Sequence, residues 1–399
     1  MKNSPRKGDR GDRLGRTQGL DPMGNCGTIH NILIVENELR MGGLEKKLYD
    51  LAARIDRNHF RIAMCCLKRG GYWKDAFVEL GVPFYEGFLK HKYDVLAYPR
   101  LLRLLAKENI DLIYTLPHPN SILLSAMAKA TGRVNRVVVS IHGTGSPHGG
   151  KMVRGYLKPV LGNIDRFIAV AREHKRYLVE VEDLDPERVD VIYNGVDLDK
   201  YHPGEPKPGL AAELGVRDDR RLVTTVASMD LYKGIDVLLH AASPICGQFD
   251  DVDFVIVGGG PDRDKIVPIA AKLGIADRVT FTGVRADVDD ILRLSDFFVL
   301  PSRTEAFPNV ILEAMASGVP VISTDVGSVS EMIDNEENGL LVPADDAGQL
   351  AGAIRRLLRE PETSRAFADA GRRTVEDKFP IQRMCTERER LFSELLCGH

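Results

Sequence analysis

The sequence predicts an α/β protein of two Rossmann-like domains whose parallel sheets face a central cleft. Short apolar, β-branched runs alternate with helical stretches from Asn31 onward, the pattern of parallel sheets covered on both faces. The alternation stops once, at a stiff polar stretch from Tyr201 to Pro208 that holds Pro203, Pro206 and Pro208, and then restarts. A length of 399 residues suits two or three domains.

In the first half, Asn31 to Val35 reads as a buried strand. Gly42-Gly43 then opens an amphipathic helix through Leu44, Leu48, Leu51, Ala52 and Ile55. Arg61 to Leu67 is the next strand, and Leu101 to Ala106 carries a helix. Strands follow at Asp111–Thr115, Val137–Ile141, Arg166–Val170 and Val189–Tyr193. In the second half the strands are Leu222–Val226, Asp253–Val257, Arg278–Phe281, Phe297–Leu300 and Pro320–Ser323. The last helical stretch, Ile381 to Leu396, has spare apolar residues, among them Met384, Leu391 and Phe392. The expected division is a disordered basic tail over 1–27, an N-terminal domain over 28–200 and a C-terminal domain over 209–375. A final helix within 376–399 is expected to pack back toward the domain junction.

The hydrophobic fraction of 44% and charged fraction of 28% describe a globular chain with a large core, and a net charge of −3 gives no basic field for nucleic acid. No apolar run reaches the length of a membrane span. Cys26, Cys65, Cys66, Cys246, Cys385 and Cys397 are scattered without a CxxC pair, which argues against a zinc site or a disulfide scaffold. The basic tail lacks the apolar core of a secretory signal, and Met23 is a candidate true start.

In open α/β sheets, ligands sit at the carboxyl ends of the strands. The strongest candidate there is Glu305-Ala-Phe-Pro-Asn-Val-Ile-Leu-Glu313. Pro308 suits a first helical position and Gly318 a helix end. Between them the helix is apolar nearly all round, so Glu313 in its middle needs a partner, because an unpaired buried charge is costly. Glu305 lies in the loop whose free N–H groups would face an anion. Lys233-Gly234 precedes another helix, where a lysine opposes the helix dipole unless a phosphate occupies that end; a solvated lysine is the alternative. Gly258-Gly259-Gly260-Pro261, Gly42-Gly43, His142 and His118 stand at strand ends, each open to a ligand-binding or a plain structural reading. No P-loop, HExxH, nucleophile triad or convincing dinucleotide fingerprint is present.

Taken in order, these segments resemble the retaining glycosyltransferases of family 4, with the two-domain GT-B fold, over roughly residues 29 to 395. Gly42-Gly43-Leu44-Glu45 looks like the family's N-terminal GG-x-E loop, and Val139-Ser140-Ile141-His142-Gly143 like its strand-end HG. Asn194-Gly195-Val196-Asp197 looks like the NGVD closing the N-terminal domain. Lys233-Gly234 looks like the donor-phosphate lysine, Gly258 to Pro261 like the G-x-G-P turn, and Glu305 to Glu313 like the E-x7-E signature.

The resemblance implies catalytic roles for Glu305, His142 and Lys233. The implied donor site comprises Ser228, Lys233, Gly259, Arg285, Glu305, Ala306, Phe307, Pro308, Asn309, Val310 and Glu313. Within it, Glu305 would hold the donor sugar, Glu313 the ribose, and backbone near Gly283, Val284 and Arg285 the base. Gly42, Gly43 and His118 would hold the acceptor. The donor would be a UDP- or GDP-linked sugar and the acceptor a glycan, lipid-linked sugar or small molecule, with no metal and no further cofactor. Ser228 stands where the family often has an arginine; Arg285 and Arg303 are candidate substitutes. Ala306 replaces a common glycine. The resemblance also implies a cytoplasmic enzyme, with peripheral membrane contact through Arg100, Arg103 and Lys107 on the helix Tyr98 to Lys107 as one reading. The alternatives on the same fold are a disaccharide phosphorylase or sugar-nucleotide epimerase, and a non-catalytic sensor.

Overall fold

The computed structural model describes residues 28–91, 94–143, 157–217 and 219–398. The expected disordered tail, 1–27, lies outside the described residues. Two wholly parallel sheets dominate. The N-terminal sheet runs in the order β3-β2-β1-β4-β5-β6-β7, with β1 His30–Glu36, β2 Phe60–Cys66, β3 Phe84–Glu86, β4 Leu112–Thr115, β5 Arg136–Ser140, β6 Arg166–Ala169 and β7 Val189–Val191. The C-terminal sheet runs β10-β9-β8-β11-β12-β13. Its strands are β8 Arg221–Val226, β9 Val252–Val257, β10 Val279–Gly283, β11 Phe297–Leu300, β12 Val321–Thr324 and β13 Leu340–Val342. The sequence reading found all of these except β3 and β13, whose three residues are too few to show a period.

Helices cover both faces. The first half holds α1 Gly43–Arg54, α2 Lys74–Glu79, α3 Ala97–Lys107, α4 Pro119–Ala130 and α5 Arg172–Glu180. The second holds α6 Leu210–Leu214, α7 Ile235–Cys246, α8 Arg263–Lys272, α9 Val288–Leu294 and α10 Asn309–Ala316. Then come α11 Ala347–Arg359, α12 Pro361–Lys378 and α13 Ile381–Cys397. Strands buried on both faces, such as β11, read as continuous apolar runs because neither face meets water.

The chain crosses between sheets twice, and the two crossings are tied together. Val196 donates to the Phe379 carbonyl and Ile381 donates back to Val196, both at 2.9 Å. A side chain at Gly195 would sit 2.6 Å from the Ile381 backbone, so this close approach requires glycine. After the second crossing, α13 packs on the N-terminal sheet, with Ile381, Met384, Cys385 and Phe392 in one cluster with Ile34, Phe60 and Tyr114. Phe392 is wholly buried, edge-on to Phe60 and Tyr114; truncating such a ring costs about 3–5 kcal/mol.

In each sheet the strand order reverses between two neighbours, β1 and β4 in the first, β8 and β11 in the second. These are the switch points where open α/β sheets bind ligands.

Candidate active site

At the C-terminal switch point, the loop after β8 and the loop after β11 are stitched together. Arg303 donates its backbone N–H to the Tyr232 carbonyl at 2.8 Å. Its guanidinium grips Asp236 through both terminal nitrogens, at 2.9 and 2.7 Å, and also reaches the Leu231 carbonyl. The turn that carries Lys233 ends at Gly234 with φ +66°, and a side chain there would lie 1.9 Å from the Pro301 carbonyl. The stitch delivers Lys233 Nζ to 2.7 Å from Glu305 Oε1, which also accepts from Ser302 Oγ at 2.7 Å. Glu305 is only 9% exposed. Its backbone passes directly against Gly327, where an added carbon would meet the Glu305 carbonyl at 1.7 Å.

Glu305 leads into α10, whose first turn has no side-chain cap. Uncapped N–H groups and the helix dipole favour an anion at this end. Pro308 occupies the cap position, with ψ 102°, rather than the expected first helical position; its extended backbone still belongs to the loop, and Asn309 starts the helix. Phe307 packs against Tyr193 and Phe379 at the domain junction.

Glu313 is buried in α10. Its partner is the hydroxyl of Tyr201, which burial and the Glu313 charge hold far above the ordinary phenol range. The Lys47 ammonium adds a favourable charge nearby. Lys47 itself is buried, donating to the Gly195 carbonyl at 2.6 Å and to Asp50 at 3.3 Å.

The opposite wall is the N-terminal sheet. A carbon at Gly43 would lie 3.3 Å from the Asn309 side chain, so the Gly42-Gly43 loop abuts the head of α10. His142 follows β5, with Nε2 2.8 Å from Ser140 Oγ and Nδ1 3.5 Å from Asn194 Nδ2. Burial, with Arg388, His174 and Lys47 around it, keeps His142 well below its ordinary range and hence neutral. At the N-terminal switch point, His118 Nε2 stands 3.2 Å from Glu36 Oε1. Burial pushes the Glu36 carboxyl up to about 8, and burial lowers His118, with Arg40 and Lys68 adding to it. At neutral pH the contact therefore joins a largely protonated carboxyl to a neutral imidazole rather than an ion pair.

Two cleft walls at facing switch points, one carrying an acid–lysine pair at a helix head, match known proteins. The model for "Glycosyltransferase Family 4" covers residues 41–200 and that for "Glycosyl transferases group 1" covers 207–374. The chain belongs to this glycosyltransferase family. It is 27% identical over 330 residues to the N-acetyl-alpha-D-glucosaminyl L-malate synthase of Bacillus anthracis, covering 80% of this chain and 84% of the relative. It is 35% identical over 227 residues to the D-inositol 3-phosphate glycosyltransferase of Rhodococcus jostii, covering 55% of this chain and 50% of that relative. The match thus spans about half the length of the latter. Among solved structures, a glycosyltransferase from Rickettsia africae superposes with TM-score 0.81 at 20% identity, covering 93% of this chain and all of that one. HepE of Anabaena, solved in complex with UDP-glucose, superposes with TM-score 0.78 at 22% identity, covering 91% and 99%. These likenesses show the GT-B fold.

Within this glycosyltransferase, the structure brings Lys233, Glu305 and the 306–310 stretch together at one helix head. Ser228 and Gly259 sit on one seam between the loops after β8 and β9, since Met229 donates to the Gly259 carbonyl at 2.9 Å and a carbon at Gly260 would strike Met229. The structure supplies partners for two further sets of expected residues. Neither Arg285 nor Arg303 is a free cation for the place that Ser228 leaves without one. Arg285 is bound to Asp287 and Glu213, and Arg303 to Asp236 and Asp345, so each already has its charge compensated. Gly42 and Gly43, expected on the acceptor side, also lie against the head of α10, through Gly43 beside the Asn309 side chain. Thr144 and Gly145, next to His142, fall outside the described residues. Sequence reasoning missed Tyr201, read as linker, and did not single out Lys47 or Ser302. Only the spacing of Ser302 before Glu305 offered a signal.

Proposed function

We propose that this glycosyltransferase is a retaining, metal-independent enzyme that moves a sugar from a UDP- or GDP-linked donor to an acceptor hydroxyl. The acceptor is a glycan, a lipid-linked sugar or a small molecule, in cell-surface polysaccharide or glycoconjugate biosynthesis. The observation that carries this reading is the Lys233–Glu305 pair at the uncapped head of α10. A leaving diphosphate seated there is neutralised by Lys233 and by the N–H groups around Ala306 and Phe307, where charge builds up as the glycosidic bond breaks. Glu305 then accepts from the hydroxyls of the transferred sugar. Glu313, with Tyr201 behind it, accepts from the ribose hydroxyls. Backbone near Gly283, Val284 and Arg285 reads the base.

Glycosyl transfer passes through an oxocarbenium-like transition state. No protein nucleophile is assigned; the acceptor hydroxyl attacks from the face the diphosphate leaves and passes its proton to a departing phosphate oxygen. Neutral His142 reaches from the opposite wall as a hydrogen-bond donor to sugar or phosphate. His118 and the Gly42-Gly43 loop line the acceptor side. The UDP-glucose held by HepE on the same fold favours UDP-sugars as first candidates.

Among the described residues no helix is long and apolar enough to cross a membrane. A cytoplasmic enzyme touching the inner membrane face is the accompanying reading, supported by Val95, 83% exposed, and Leu96, 57% exposed, at the start of α3. The basic face there is smaller than the sequence suggested, since Arg100 is held by Asp94 and the Phe88 carbonyl.

The test is a panel of UDP- and GDP-sugars with detection of nucleoside diphosphate, followed by NMR of the first-formed product. Release of diphosphate and an α-linked product from an α-donor are expected. No release from any donor overturns the transferase reading, and a β-linked product overturns retention.

A further inference from the structure

A buried charge without a counter-ion marks the place where α13 enters the N-terminal domain. Arg388 has no exposed surface, and its Nε and one terminal nitrogen lack hydrogen-bond partners. Its other terminal nitrogen lies 3.4 Å from Asn194 Oδ1, and the guanidinium stands over the Tyr114 ring at 6.0 Å. Among the described residues no carboxylate pairs with it. Desolvating a lone cation is expensive, so hydrophobic packing alone does not account for an arginine at this position.

Its neighbours form a chain with a fixed polarity. A guanidinium only donates, so Asn194 must turn Oδ1 toward Arg388 and its amide nitrogen away, toward His142. That nitrogen also only donates, and it faces His142 Nδ1 at 3.5 Å. Nδ1 is therefore the acceptor, and a neutral imidazole then carries its proton on Nε2, 2.8 Å from Ser140 Oγ. Both relay contacts, at 3.4 and 3.5 Å, are long for hydrogen bonds.

We propose that Arg388, acting through Asn194, is a positioning residue that fixes His142 as the Nε2–H tautomer and presents a hydrogen-bond donor at the end of β5. The cations near His142, Arg388 from α13 and Lys47 from α1, favour its neutral form. His174 accepts from the Val170 N–H through Nδ1 at 3.2 Å and lies 3.0 Å from the Gly143 carbonyl through Nε2, so it is itself a neutral Nε2–H imidazole. The last helix of the chain thus sets the proton position on a residue of the opposite cleft wall. That this N–H turns from Ser140 Oγ to the sugar donor rests on the function proposed above; the tautomer does not.

The test uses full-length protein carrying 15N-labelled histidine, with the His142 ring nitrogens followed by NMR across the pH range. The wild type is expected to show the neutral Nε2–H form. In Asn194→Asp the carboxylate accepts from both sides, so His142 flips to the Nδ1–H form. Arg388→Met removes the donor, mixes the two tautomers and lets His142 titrate nearer its ordinary range, whereas Arg388→Lys keeps the wild-type form. An unchanged Nε2–H signal in Asn194→Asp overturns the proposal, and that variant carries the test if Arg388→Met does not fold. With UDP-glucose as probe, Asn194→Asp is expected to release UDP roughly tenfold more slowly, with UDP affinity by calorimetry unchanged. A flipped tautomer with an unchanged rate overturns the part given to His142 in the reaction while the tautomer assignment stands.

Discussion

The two switch points occupy equivalent places in their sheets and satisfy their charges differently. On the C-terminal side Lys233 meets Glu305, Arg303 meets Asp236 and Asp345, and Arg285 meets Asp287 and Glu213. Close backbone approaches at Gly234 and Gly327 lock the loops that carry these groups. On the N-terminal side, Glu36 is 1% exposed with Oε2 unpartnered, and His118 stands half exposed above it. One wall is locked by its own charge pairs; the other leaves polar valences open. Such a division suits an enzyme whose donor is chemically uniform and whose acceptor is specific to its pathway.

The largest expected effect probes the preorganised wall. Lys233→Ala leaves Glu305 buried without its cation, and Glu305→Ala removes the sugar contact proposed for it; each should cut turnover by about a hundredfold. Steady-state rates at saturating donor check this, and unchanged rates in both variants would remove the donor clamp altogether. Tyr201→Phe takes one hydrogen bond from Glu313, worth roughly 1.5 kcal/mol, and should raise the donor KM about tenfold with kcat nearly unchanged. An unaltered KM would mean that Glu313 needs no orienting partner.

The open wall should respond through pH and acceptor rather than donor. Because the Glu36 carboxyl is pushed up to about 8, the folded state keeps a proton that the unfolded chain releases near 4.5. This contribution to stability is fully present below about 4.5 and is lost as pH rises through about 8, at a limiting slope of about 1.4 kcal/mol per unit. Thermal melts of Glu36→Gln should lack that slope; parallel wild-type and variant curves would show that Glu36 ionises normally. The smallest effect is expected for His118→Ala, which should leave donor hydrolysis in water within about twofold and weaken only acceptor-dependent transfer. Equal losses in both reactions would place His118 on the donor side.

Much of this molecule was legible from the chain. The strand–helix alternation showed two parallel sheets because strands buried on both faces are largely apolar, and Glu313 announced its need for a partner by being an acid in an apolar helix. Short strands such as β3 and β13 escaped because three residues cannot display a period. Tyr201 escaped because a tyrosine among prolines looks like linker until the fold lays it against α10. Arg285 and Arg303 looked available because a sequence lists cations without their distant acids.

The sequence by itself determined the fold class, the family and the helix head that carries Glu305, since these depend on local periodicity and on residues close along the chain. Only the tertiary structure decided which charges are already compensated, that Gly43 meets Asn309, and that Arg388 reaches Asn194 across 194 residues. Those facts depend on long-range packing, where burial and the polarity of neighbours set each group's proton and charge.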